Sequence, residues 1–139
     1  MFFSFGLVFI VILLALVQYT FFIFMTGRAR ERTGIAAPAI AGNEEFKRYY
    51  RVQMNSVELL VALIPAMLIG AMTLSIWLSA VLGVVYLIGR QLYFHAYITE
   101  PNQRGLGFIL SLLPIIVLLI GSLVSVIKTW VDAGFIPLQ

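Results

Sequence analysis

Arg51, Asn55 and Glu58 stand at i, i+4 and i+7, and Arg90, Tyr93 and Tyr97 at i, i+3 and i+7. On helices each trio forms a polar stripe along one face, and two such stripes can line one cavity. Arg104 follows Glu100-Pro101-Asn102 at what reads as the start of another helix, where the backbone dipole is already positive. A cation there is unfavourable unless an anion is held nearby, and helix N-termini bind anions well. Arg104 facing the two stripes points to an anion site; a basic residue flanking a membrane span is the plainer alternative. Gln53 lies roughly 200° around the helix from Arg51, so a ligand it touches must belong to a neighbouring subunit. That geometry implies an oligomer.

Two of these charges sit where charge is costly. Glu58 and Arg90 each lie about two turns inside an apolar run, at about 2.5–3.5 kcal/mol apiece by insertion scales, so each needs a partner or a wet cavity. A Glu58–Arg pair that merely pins helices together is the structural reading; a ligand site is the functional one. The chain's own reactive chemistry is narrow. It has no cysteine, hence no thiol nucleophile, disulfide or thiolate metal site, and its single histidine, His95, argues against structural zinc. His95 points away from Tyr93 and Tyr97 on helical spacing and reads as a packing or headgroup residue. Asp132, the only aspartate, falls on the opposite membrane side, which rules out a Ser–His–Asp triad. Gly105-Leu106-Gly107 has neither a preceding strand nor a third glycine, so it is no dinucleotide fingerprint.

The elements that position these residues are membrane spans. Of 139 residues, 62% are hydrophobic and 11% charged, and the mean hydropathy is +1.04. A soluble domain of this size needs far more polar surface. A hydrocarbon core about 30 Å thick takes roughly 20 apolar residues in helical form. Four runs satisfy this, about 2–25, 47–73, 75–98 and 105–128, which predicts an all-α integral membrane protein built as a four-transmembrane-helix bundle. The first run has no basic leader and no small-residue cleavage site, so it is expected to be retained. No linker or repeat divides the chain, and a single domain over 1–139 is expected. The short connection after Thr73 makes helices two and three antiparallel neighbours. Asn43 is placed to cap a helix beginning at Glu44 and Glu45, while Pro65 and Pro114 each remove a backbone hydrogen bond and are candidate kinks.

Of nine Lys and Arg residues, only Lys128 falls away from the side that carries segments 26–50 and 99–104. The positive-inside rule puts both segments in the cytoplasm and both termini on the opposite side. The net charge of +3 follows from that topology. A nucleic-acid partner is not expected, because most of the surface must face lipid. A channel is not expected either, since polarity is confined to the cytoplasmic half.

The run Glu45-Phe46-Lys47-Arg48-Tyr49-Tyr50-Arg51-Val52-Gln53-Met54-Asn55-Ser56-Val57-Glu58 resembles the second-helix signature of the membrane-associated proteins in eicosanoid and glutathione metabolism, the MAPEG family. Arg90-Gln91-Leu92-Tyr93-Phe94-His95-Ala96-Tyr97, followed by Arg104-Gly105, resembles that family's third-helix end and fourth-helix start. The resemblance covers nearly the whole chain and is nearest to the branch of leukotriene C synthase and the microsomal glutathione transferases. It implies a homotrimer of four-helix subunits with glutathione as co-substrate, bound at each subunit interface near the cytoplasmic face. Carried over, Arg51, Asn55, Glu58, Tyr93, Tyr97 and Arg104 match one wall of the glutathione site, and Arg30 and Gln53 match contacts from the adjacent subunit. The resemblance further implies that Arg104 stabilises the glutathione thiolate. Arg30, with Arg28 and Arg32 close enough to take its place, is the candidate to polarise a lipophilic electrophile or lipid hydroperoxide arriving through membrane lipid. Leu59 departs from the family pattern, in which a tyrosine often follows the glutamate. The family also holds a non-enzymatic lipid-presenting protein, the five-lipoxygenase-activating protein, but that branch lacks an arginine matching Arg51.

Overall fold

A computed structural model describes residues 2–135, with side chains from Ser4 onward; residues 1 and 136–139, and with them both ends of the expected 1–139 domain, lie outside the described residues. Four helices follow one another: α1 (Phe2–Thr33), α2 (Glu44–Thr73), α3 (Ile76–Thr99) and α4 (Gly105–Asp132), with one 3-10 turn at Pro101–Gln103 before α4. Each helix is long and apolar enough to cross a bilayer. The chain is an integral, multi-pass membrane protein. α1 packs on α2 and α3, and α4 packs on the other side of the same pair.

Side-chain caps set two of the helix starts. Asn43 Oδ1 accepts from Phe46 N at 3.1 Å and opens α2, with Glu44 and Glu45 in the first turn as the dipole favours. Ser75 Oγ accepts from Leu78 N at 3.4 Å and opens α3 only two residues after α2 ends. α4 starts differently. Arg104 occupies its cap position with helical backbone angles and makes no side-chain cap bond. Both Pro65 and Pro114 lie within helices that continue unbroken through them.

The first helix corrects the expected boundary. The apolar run ends near Met25, yet α1 continues to Thr33 and leaves only residues 34–43 as loop. The extra turns are held by tertiary contacts. Thr26 Oγ1 donates to Tyr49 O at 3.2 Å, Ala29 is fully buried, and Arg30 Nη1 donates to Ile35 O and Ala39 O at 3.1 and 2.9 Å. Helix length therefore exceeds span length on this side.

The exterior is apolar, with Ile10, Val17, Val61, Trp77, Val81 and Ile109 among many large side chains left exposed. The interior instead collects small and hydroxyl residues, as expected where lipid leaves no hydrophobic drive between helices and close packing must hold them. A Cβ on Gly89 would fall 2.7 Å from the Leu110 carbonyl carbon, and one on Gly107 would fall on the Tyr93 backbone nitrogen. These two glycines bring α3 and α4 into backbone contact. The main apolar core joins Val8, Val11 and Ala15 to Leu63, Met67, Ile115 and Leu118. A second cluster of Phe22, Val52, Tyr93 and Phe94 lies beneath the basic end, with Phe22 and Phe94 stacked at 5.0 Å between centroids.

Candidate functional site

The approach of α3 to α4 at Gly107 puts Tyr93 beside the uncapped start of α4. There, Asn55 from α2, Tyr93 from α3, Asn102 from the 3-10 turn, and Arg104, Gly105 and Phe108 line a cleft of about 570 Å³. A second cleft of about 300 Å³ is lined by Glu44, Lys47, Arg48, Arg51, Tyr97 and Pro101. Tyr97 belongs to both regions in effect, because its ring is 5.3 Å from that of Tyr93 and 5.6 Å from the Arg104 guanidinium carbon. Arg104 Nη1 donates to Pro101 O at 2.7 Å, which holds the exposed guanidinium over the turn. Arg48 donates to the Ile98 and Thr99 carbonyls at 3.1 Å each, so the end of α3 is fastened to α2 beneath Tyr97.

The polar stripes therefore converge, though not on equal terms. Asn55, Tyr93 and Arg104 share one cleft; Arg51 and Tyr97 share the next. Glu58 is exposed and Gln53 half-buried, and neither lines a cleft. Among the described residues the ion pairs are Arg32–Glu45 at 2.6 Å and Lys47–Glu44 at 3.4 Å. Glu58 thus pairs with neither Arg51 nor Arg90, which removes the reading of a helix-pinning pair. Arg90 finds another solution. It is fully buried, donates from Nη2 to Ser56 Oγ at 2.7 Å, and lies 4.1 Å over the Tyr93 ring.

The three arginines after the first span differ in their engagements. Arg30 is spent on two loop carbonyls and on the Phe46 ring, 4.5 Å away. Arg32 holds Glu45 and faces Tyr49 at 5.6 Å. Arg28 is exposed and faces Phe24 at 5.9 Å. His95 is exposed, paired with Gln91 at 3.1 Å, and Gln91 in turn accepts from Gln18 at 3.2 Å across to α1. That places His95 on the α1 side, apart from the clefts.

Asn102, Gly105 and Phe108 are lining residues that the polar stripes did not reveal. Phe108 follows Arg104 by one helical turn, so α4 periodicity anchored on Arg104 was the available signal. Asn55 Oδ1 is buried with no hydrogen-bond partner among the described residues, an acceptor left open at the cleft wall. Such an orphan is costly unless something fills its place.

An open amide acceptor, two phenols, exposed guanidinium groups and an uncapped helix start are the types of group that can complement anionic and N–H groups of a small molecule. Residues 7–124 match the profile of the MAPEG family. The chain belongs to the MAPEG family. This MAPEG chain is 37% identical over 114 residues to an uncharacterised protein of Synechocystis sp., covering 82% of the chain and 83% of that protein. It is 35% identical over 112 residues to mouse microsomal glutathione S-transferase 2, covering 77% and 76%. Over 94 residues it is 29% identical to bovine leukotriene C4 synthase, covering 68% of the chain and 63% of that enzyme. The resemblance carried by the second- and third-helix motifs is therefore a family membership.

Proposed function

We propose that this MAPEG chain is a membrane-bound glutathione transferase that presents glutathione as a thiolate to lipophilic electrophiles. The observation that carries the reading is Arg104 at the uncapped start of α4, opening on one cleft with Asn55 and Tyr93. Its similarity to proteins named as microsomal glutathione S-transferases supports glutathione as the co-substrate.

Glutathione supplies the thiol that the chain lacks. A free thiol has a pKa of about 8.5, so only a few per cent is thiolate at neutral pH. A guanidinium within hydrogen-bond reach, aided by the helix start, lowers that by about one to two units, worth roughly 1.4–2.7 kcal/mol. Arg104 takes this role. Arg51 and the Tyr93 and Tyr97 hydroxyls hold the carboxylates, and Asn55 Oδ1 accepts an N–H. Glu58, exposed and without an ion-pair partner among the described residues, receives the ammonium group. The thiolate then attacks an electrophilic carbon, forming the S–C bond as a leaving group departs or as the addition product takes up a proton. In a peroxidase branch it attacks the terminal oxygen of a lipid hydroperoxide, the O–O bond breaks, the lipid leaves as its alcohol after protonation, and a second glutathione reduces the resulting glutathione sulfenic acid to the disulfide and water.

The site is completed in a homotrimer in which Gln53, directed away from the Arg51 stripe, serves the neighbouring subunit. Arg30 contributes across the same interface after exchanging its loop carbonyls for the ligand. Residues 1–139 act as one unit, with segments 26–50 and 99–104 in the cytoplasm. Thiolate absorbance on adding glutathione to the detergent-purified protein tests the central step. Wild type gives the signal at neutral pH and Arg104→Ala loses it; a wild type that does not bind glutathione makes a lipid-presenting scaffold the better account.

A further inference from the structure

Arg90 is a buried polar group at the basic end to which the glutathione reading gives no role. Its side chain is completely buried on α3. Nη2 donates to Ser56 Oγ at 2.7 Å and reaches the Val52 carbonyl at 3.5 Å. Among the described residues, Nε and Nη1 are buried with no hydrogen-bond partner and neither ion pair involves Arg90. A charge kept inside a membrane protein without a counter-ion marks a functional position by default.

The surroundings of Arg90 say what it acts on. Its guanidinium carbon lies 4.1 Å from the centroid of Tyr93, which lines the larger cleft. Ser56, its acceptor, adjoins Asn55, which lines the cleft from α2 and whose Oδ1 is also buried without a partner. Arg90 is thus fastened to both walls of the cleft, to α3 through the ring and to α2 through the hydroxyl. The ionisable groups in electrostatic contact with it are Tyr86 and Tyr93. Tyr93 in turn feels Tyr97, Arg104 and Glu58. Glu58, the carboxylate of that set, is exposed rather than turned against Arg90.

We propose that Arg90 is a positioning residue for the anionic co-substrate: it spaces Tyr93 and Asn55 across the cleft, and its uncompensated charge behind the Tyr93 ring favours thiolate over thiol in that cleft. The proposal rests on the glutathione reading above. A positive charge near an ionisable thiol favours its charged form, and the ring between them transmits the field while excluding water. A mere strut between α2 and α3 would need the hydrogen bond to Ser56 and not the charge.

Three variants of the full chain in detergent separate the two roles, read by the pH midpoint of the glutathione thiolate absorbance, with a thermal melt as the folding control. Arg90→Met removes the guanidinium and its charge and keeps the apolar stem; the midpoint rises by about half a pH unit or more. Ser56→Asp places the missing carboxylate against Arg90, at a packing cost at this buried position that Ser56→Asn shares, and raises the midpoint as well. Ser56→Asn, matched to that aspartate in size but neutral, leaves the midpoint in place. A folded Arg90→Met with the wild-type midpoint overturns the proposal; where that variant does not fold, a wild-type midpoint in Ser56→Asp does the same. Equal shifts in Ser56→Asp and Ser56→Asn also overturn it, because shape rather than charge is then what moved. A wild type without any thiolate signal is a different failure, that of glutathione binding itself, and is seen before any variant is made.

Discussion

The two ends of the bundle solve the same problem in opposite ways. In the far half, buried hydroxyls are mostly closed onto backbone carbonyls: Ser79 Oγ donates to Met67 O at 2.6 Å, and the half-buried Ser125 Oγ to Thr73 O at 2.7 Å. At the basic end, Asn55 Oδ1 and two Arg90 nitrogens are buried without partners, and Glu58 and Arg51 form no ion pair among the described residues. Closed polar groups hold helices together, whereas open ones are costly and persist where a ligand completes them. Ser122, buried in the far half with an unpartnered Oγ, is the exception there. The contrast sets a candidate binding end against a packing end.

Several substitutions break or sharpen that contrast. Arg104→Ala is expected to have the largest effect, lowering turnover with a lipophilic electrophile by about 10²–10³-fold, the usual loss for one donor that stabilises developing negative charge. Turnover at saturating glutathione is the measurement. Gly107→Val forces side-chain atoms onto the Tyr93 backbone, and a detergent-phase melt should register about 1–3 kcal/mol of lost stability together with weaker glutathione binding. Asn55→Ala removes the open acceptor; glutathione binding should weaken by about tenfold while the melting temperature holds or rises, since an unsatisfied group has gone. An equal loss of both would show that Asn55 belongs to the packing end. Ser79→Ala gives the smallest effect, about 0.6 kcal/mol of stability, as for an average interhelical hydrogen bond. Its turnover should match wild type.

Much of the fold was legible because long apolar runs and cap residues act locally. The expected spans at 47–73, 75–98 and 105–128 differ by a few residues from α2, α3 and α4, and Asn43 caps α2 as its position predicted. The end of α1 was not legible, because its last turns are polar and are held by Tyr49, Ile35 and Ala39, which come later in the chain. Within the candidate site, Arg104, Asn55 and Tyr93 were found through spacing and do meet in one cleft. Phe108 and Asn102 were missed because apolar and turn residues carry no charge signal. Glu58 was expected to need a partner or a wet cavity; among the described residues it forms no ion pair, lines neither cleft and is exposed.

Composition and periodicity by themselves determined the membrane setting, the count of spans, the polar faces of the second and third helices, and the family motifs, since each depends on residues within a few turns of one another. Only the tertiary structure decided that Arg90 closes onto Ser56 and Tyr93 rather than Glu58, and that Arg30 is tied to its own loop. Periodicity gives the face on which a side chain lies. Its partner depends on how far each helix is rotated and how closely it approaches the next, and here the contact of backbones at Gly89 and Gly107 sets that approach.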